Sequence, residues 1–149
     1  MIVKEIMTVD PACCTAETNL QEVAKLMVDH DCGEIPVVDN KDTRRPIGVI
    51  TDRDIVIRAI AKGNNPLDLT AADCMTEPCV TVTPAMSIED CGRILEQNKI
   101  RRVPVVDTAG SCCGIVAVAD IALRARENVA TEVVKEVSEP GASASAART

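Results

Sequence analysis

Thr51 and Asp54 stand three residues apart in Gly48-Val-Ile-Thr-Asp-Arg-Asp54, where a β-branched run gives way to an amphipathic one. A hydroxyl at a helix N-cap and a carboxylate one turn inside lie on the same side of the helix mouth. There the carboxylate can accept hydrogen bonds from a vicinal diol such as a ribose, and the helix amides tolerate an anion. The same spacing also makes a plain capping box, in which Thr51 caps and Asp54 returns the bond. A second chemical feature is Arg101-Arg102, directly ahead of the apolar run Val103–Val106. Two guanidiniums before a buried strand on an acidic chain suit phosphate oxygens. The competing reading is a pair of surface ion pairs, each contributing about 0–1 kcal/mol.

Other candidates are weaker. His30, between Asp29 and Asp31, reads as a solvated helix end, and Lys41, Arg44 and Arg45 as a solvated loop that could reach a neighbouring subunit. The eight cysteines form no C-x-x-C, only the vicinal pairs Cys13/Cys14 and Cys112/Cys113 and four scattered singles. With one histidine, a zinc site would need mostly distant thiolates, so reduced core cysteines and no metal ligands are expected. No nucleophile, base and orienting group recur together and no Gly-rich phosphate loop is present, so no catalytic residue and no enzymatic activity are predicted.

The elements that must position these groups are written twice. Sliding the chain by 68 residues sets Met7-Thr8 on Met75-Thr76, Leu20 on Ile88, and Ile35–Asp39 on Val103–Asp107. After a two-residue difference in a turn, Gly48, Asp54 and Ile55 meet Gly114, Asp120 and Ile121. Asn19 with Glu22, and Ser87 with Asp90, mark helix starts, followed by Leu20, Val23, Ala24 and Met27 in one repeat and Ile88, Cys91, Gly92 and Leu95 in the other. Runs 35–38 and 47–51, then 103–106 and 114–117, read as strand pairs. Helices over 52–62, stopped by Gly63 and Pro66, and over 119–137 complete each unit. The predicted fold is α/β: two helix-strand-strand-helix repeats, 1–68 and 69–137, with a disordered tail at 138–149. A unit this small buries too little alone, so the two should pack sheet against sheet around one core with pseudo-twofold symmetry.

Composition excludes several classes. Phe, Tyr and Trp are all absent from the 149 residues, which removes the rings on which single-stranded nucleic acids and most sugars stack. A net charge of −7 opposes duplex DNA. No apolar run is long enough to span a membrane, and Lys4 and Glu5 fall where a signal peptide would turn apolar, so a cytoplasmic location is the expectation.

Taken in order and twice over, the Met-Thr pairs at 7 and 75, the Pro-Val-Val-Asp strands at 36 and 104, and Gly-Val-Ile-Thr-Asp-Arg-Asp-Ile at 48–55 resemble the cystathionine-beta-synthase (CBS) domain pair, or Bateman module. The resemblance covers residues 3–126. It implies two pseudosymmetric clefts that take AMP, ADP, ATP, S-adenosylmethionine or a related adenosyl compound, with no required cofactor. By resemblance, Thr51 and Asp54 hold the ribose, Ile35 and Pro36 wall the adenine, Thr15 lines the cleft, and Arg101 and Arg102, assisted by Arg53, clamp phosphate. The second cleft would use Thr83, Val103, Pro104 and Asp120. It departs from the pattern: Ala117 replaces the hydroxyl, losing a hydrogen bond of roughly 0.5–1.5 kcal/mol. Gly33-Glu34 stands where the first cleft has its arginine pair, so the second cleft should bind weakly and repel a phosphate tail.

The expected role is a regulatory nucleotide sensor, homodimeric through its helices, read in trans by an unidentified protein partner, with no nucleic acid and no membrane. Helix 52–62, with Ile55, Val56, Ala59 and Ile60, offers surface for both core and interface. Two rivals stand: a structural dimer with vestigial clefts, and a cysteine-based redox or metal sensor.

Overall fold

Each β-branched run becomes a strand and each capped amphipathic run a helix, in a mixed α/β arrangement that the computed structural model describes over residues 1–127. In chain order these are β1 (Thr8–Val9), β2 (Cys14–Thr15), α1 (Leu20–Asp29), β3 (Glu34–Val38), β4 (Pro46–Thr51), α2 (Asp52–Ile55), α3 (Ala71–Cys74), α4 (Ile88–Asn98), β5 (Arg102–Val106), β6 (Cys112–Ala117) and a helix over 118–127, α5. The side-chain oxygens of Asn19 and Ser87 accept the Glu22 and Asp90 amides at 2.9 and 3.1 Å, opening α1 and α4 where the spacing predicts. The rest of the helix predicted over 119–137, and the tail at 138–149, lie outside the described residues.

The strands form two three-stranded sheets, β2-β3-β4 and β1-β6-β5. Their make-up shows a reciprocal exchange. The start of the chain crosses to the second repeat, where Thr8 and Val9 pair antiparallel with Ile115 and Gly114 of β6. The start of the second repeat crosses back, and Thr76 and Val49 exchange backbone hydrogen bonds of 2.8 and 3.0 Å. Both crossings run over a glycine. A Cβ on Gly48 would lie 2.5 Å from the Thr76 carbonyl oxygen, and one on Gly114 would lie 2.6 Å from Met7 Sδ.

The single shared core expected from the small size of each unit is instead two clusters. Leu20, Val23, Ile35, Val37 and Ile50 pack with Ala71 and Cys74, which come from beyond the first repeat. Val82, Cys91, Leu95, Val103, Val105 and Val116 pack with Val3 from the chain's beginning. Each sheet thus completes its cover with the other's leading segment, which lets units too small to stand alone close separate cores.

Two local expectations are corrected. The helix from Asp52 does not stay α-helical to residue 62: Val56–Ile60 is a π turn, with bonds from Ala61 N to Val56 O at 2.9 Å and from Asn64 N to Ala59 O at 3.1 Å. The widened turn accompanies docking of Arg58, whose Nη1 reaches the Cys74 and Met75 carbonyls at 3.0 and 2.6 Å. Arg44 is not a solvated loop residue. It adopts φ +52° and turns back, placing Nη1 2.9 Å from Asp10 Oδ1 and Nη2 3.1 Å from the Pro11 carbonyl.

Candidate functional site

β4 ends at Thr51, whose extended backbone makes it the N-cap of α2. The reciprocal box is complete: Asp54 N donates to Thr51 Oγ1 and Thr51 N to Asp54 Oδ2, both at 3.0 Å. The crossing segment adds a third donor, because Thr76 Oγ1 lies 3.3 Å from Asp54 Oδ1. Asp54 is only 7% exposed, yet a carboxylate has about four lone-pair sites and the Thr51 hydroxyl still has its hydrogen to give. Capping and diol recognition are therefore compatible at one pair of side chains.

These groups face a cleft of about 660 Å³ between the repeats. Its opposite wall is the segment entering β5: Lys99, held in the left-handed region at φ +54°, Ile100, Arg101 and Arg102. Arg53 borders it as well. The cleft thus brings a hydroxyl and a carboxylate on one helix mouth opposite three cationic side chains. Backbone bonds related by the repeat fix this geometry, from Asp52 N to Gly33 O at 3.0 Å and from Val118 N to Arg101 O at 2.8 Å.

The remaining candidates of the first cleft sit elsewhere. Ile35 and Pro36 are interior residues of β3, a strand buried along its whole length, and do not line the opening. Thr15 borders a separate cavity of about 370 Å³ with Cys13, Cys14 and Arg44. In the second repeat, Asp120 Oδ2 accepts Ala117 N at 2.8 Å and borders a cleft of about 350 Å³. Val103 and Pro104 are buried in β5 and Thr83 is exposed, and none of the three lines that cleft.

Sequence reasoning missed Lys99 and Thr76 as site residues. The 68-residue shift contained the signal, since it sets Lys99 and Ile100 on Asp31 and Cys32, which border the second cleft. The two openings therefore differ in charge: Arg53, Lys99 and Arg101 stand against Asp52 and Asp54 in the first alone, whereas Asp10, Asp31 and Asp120 border the second alone. Glu34 and Arg102, equivalent in the repeat, each border both clefts. Glu34 is 7% exposed and its Oε2 has no hydrogen-bond partner among the described residues. Burial, reinforced by the nearby Asp54 charge and only partly offset by Arg102, pushes its carboxyl up to about 7. No group of three or more metal-ligating side chains occurs among the described residues, and none of their helices is long and apolar enough to cross a membrane.

Doubled sheets, exchanged leading segments and a cleft between the repeats define a tandem-repeat module. The CBS domain model matches residues 3–60 and 71–127, and the chain belongs to that family. It is 36% identical over 126 residues to the CBS domain-containing protein YhcV of Bacillus subtilis, covering 85% of this chain and 86% of that one. It is 39% identical over 100 residues to an uncharacterised protein of Methanopyrus kandleri, MK0525, where the match takes 67% of this chain and 50% of the relative. Among solved structures, Hypoxic Response Protein I with two coordinated zinc ions matches at TM-score 0.73 and 33% identity, covering 83% of this chain and 98% of that one. The CBS domain pair of MJ0100 with 5-methylthioadenosine and S-adenosyl-L-methionine matches at 0.72 and 28%, covering 86% and 98%. CBSX2 in complex with AMP matches at 0.72 and 25%, covering 85% and 96%.

Proposed function

We propose that this chain is a non-catalytic regulatory module whose 660 Å³ cleft binds an adenosine nucleotide. The observation that carries the reading is the joint placement of Thr51 and Asp54 opposite Arg101 and Arg102. Asp54 accepts from the ribose hydroxyls, Thr51 donates, and the guanidiniums with Lys99 take the phosphate oxygens, while Ile100 supplies apolar surface beside the base. Relatives of this fold solved with AMP and with S-adenosyl-L-methionine support the ligand class. Ile35 and Pro36, buried within β3 and absent from the cleft lining, are not part of this reading. The second cleft, acidic and without the hydroxyl, is the weaker site and favours a compound with no phosphate.

A ligand that touches both repeats stabilises one relative arrangement of them, and a partner protein reads that arrangement. Val56, Ile57 and Ile60 on the turn after α2, with Val118 and Leu123 on α5, expose apolar surface suited to a second copy of the chain.

Calorimetric titration with AMP, ADP, ATP, NAD and S-adenosylmethionine tests the reading. At least one should bind saturably, and Asp54→Ala should weaken it at least tenfold, about 1.4 kcal/mol. A melting curve on the variant separates lost binding from a lost cap. Unchanged affinity in a folded Asp54→Ala removes the ribose assignment. No binding to the parent leaves a structural dimer with vestigial clefts.

A further inference from the structure

Given the nucleotide reading of the 660 Å³ cleft, on which this rests, we infer that Glu34 is a specificity-determining residue there: the cleft takes a phosphate group beside Arg101 and Arg102 with the Glu34 carboxyl protonated, so nucleotide binding draws a proton from solution. The 68-residue shift sets Glu34 on Arg102, so a carboxyl stands at one side of the cleft where the repeat has a guanidinium. Glu34 pairs directly with Thr51 across β3 and β4, and directly paired residues of antiparallel strands project to one face. Both border the cleft, with Asp54 beside them. Glu34 thus shares the side of the capping pair, facing the segment that carries the arginines.

Its surroundings give a charge little support. Glu34 is 7% exposed, its Oε2 has no hydrogen-bond partner, and no ion pair among the described residues includes it. A buried carboxylate without a partner is costly, and a carboxyl so placed keeps its proton instead. The neighbouring charges divide. Asp52 and Asp54 of α2 oppose ionisation, whereas Arg53, Lys99, Arg101 and Arg102 favour it. Toward the second cleft Asp10, Asp31 and Asp120 oppose it, and His30 and Cys32 are the other titratable groups on that side. Cys79, pushed up to about 12 chiefly by its own burial, stays a neutral thiol. With burial foremost, Arg102 pulling down and Asp54 pushing up, the carboxyl lies at about 7.

A phosphate group on the arginines tips this balance one way. It adds negative charge and engages the guanidiniums that favoured the carboxylate, so the protonated form gains. Protonated Glu34 also has an O–H to donate to a phosphate oxygen, whereas the carboxylate can only accept. By linkage, affinity for a phosphate-bearing ligand is highest below pH 7 and falls as pH rises, until the carboxyl of the complex ionises as well. Adenosine brings no such charge.

Calorimetric titration of the full chain with AMP, ADP, ATP and adenosine at pH 6, 7 and 8, in buffers of different ionisation enthalpy, tests this. If phosphate raises the carboxyl by about one pH unit, affinity should fall roughly fivefold from pH 6 to pH 8, with uptake of about half a proton between pH 7 and pH 8. A nucleotide's own terminal phosphate titrates near pH 6 and works in the opposite direction, so each value is read against Glu34→Gln, in which that contribution remains. The variant should lack the fall and bind more tightly than the parent at pH 8. The ¹³C carboxyl resonance of Glu34 should titrate near pH 7 in the free chain and higher with saturating nucleotide. Urea melts confirm that both proteins are folded. The same pH profile in parent and variant, a Glu34 midpoint that stays or drops on binding, or equal proton uptake with adenosine would overturn the coupling and leave nucleotide binding standing. Failure of AMP, ADP and ATP to bind at any pH would remove the coupling together with the phosphate clamp it rests on.

Discussion

Glu34 is the residue whose state the surroundings change most visibly, since it is buried, lacks a partner at Oε2 and faces both Arg102 and Asp54. Its carboxyl is raised from 4.5 to about 7, so between those values the folded protein holds a proton that the unfolded chain releases. Stability therefore falls as pH rises through that window, by about 3 kcal/mol once Glu34 is fully ionised. Glu34→Gln keeps the shape without the charge. Urea unfolding at pH 8 should find it more stable than the parent by up to that amount, with the difference shrinking toward pH 4. Equal stabilities at pH 8 would show that Arg102 fully compensates the charge. Thr51 and Asp54 were legible in the sequence because a helix entry is a local event, closed here by two reciprocal bonds between residues three apart. Glu34 was legible only as a charge. Its burial is set by residues far along the chain, and no local pattern announces them.

At the level of elements, the glycines of the two strand-to-helix motifs show what the sequence conveyed and what it withheld. The repeat exposed Gly48, Gly114 and both Met-Thr pairs, but not that each pair passes over the other repeat's glycine. Hydrophobic periodicity reports which face of an element is covered, not which segment covers it. Crossing by the Thr76 backbone leaves no room at Gly48, whereas at Gly114 the nearest atom belongs to the flexible Met7 side chain. Gly48→Ala should therefore cost roughly 1–3 kcal/mol, and Gly114→Ala less, as measured by chemical denaturation of the two variants side by side. The reverse order would mean that the Thr76 strand yields more easily than the thioether. The order of helices and strands was readable throughout, since each is marked by its own caps and β-branched runs. The π turn at Val56–Ile60 was not, because its widening goes with Arg58 meeting carbonyls of Cys74 and Met75 that are distant in sequence.

For the molecule as a whole, duplication has produced two openings of one plan, the second with the greater excess of carboxylates. Arg102 and Glu34 occupy equivalent places at their common border, so a ligand in one cleft alters the field felt in the other. The reciprocal pairing of Thr8 with Ile115 and of Thr76 with Val49 also bears on how the chain can be divided. Made separately, polypeptide 1–68 would carry β1 with no sheet to join and lose the Thr76 bridge to Val49 and the cover of Ala71 and Cys74, while 69–149 would lose β1 from its sheet and Val3 from its core. Neither should show a cooperative melt alone. Mixed in equal amounts they should recover one, because each holds the missing piece of the other, and spectroscopic titration of one fragment with the other would report the recovery. Such interlocking makes inheritance of this fold all-or-nothing: a lineage that lost either half would lose both, so selection maintains the duplicate even where one of its openings binds nothing.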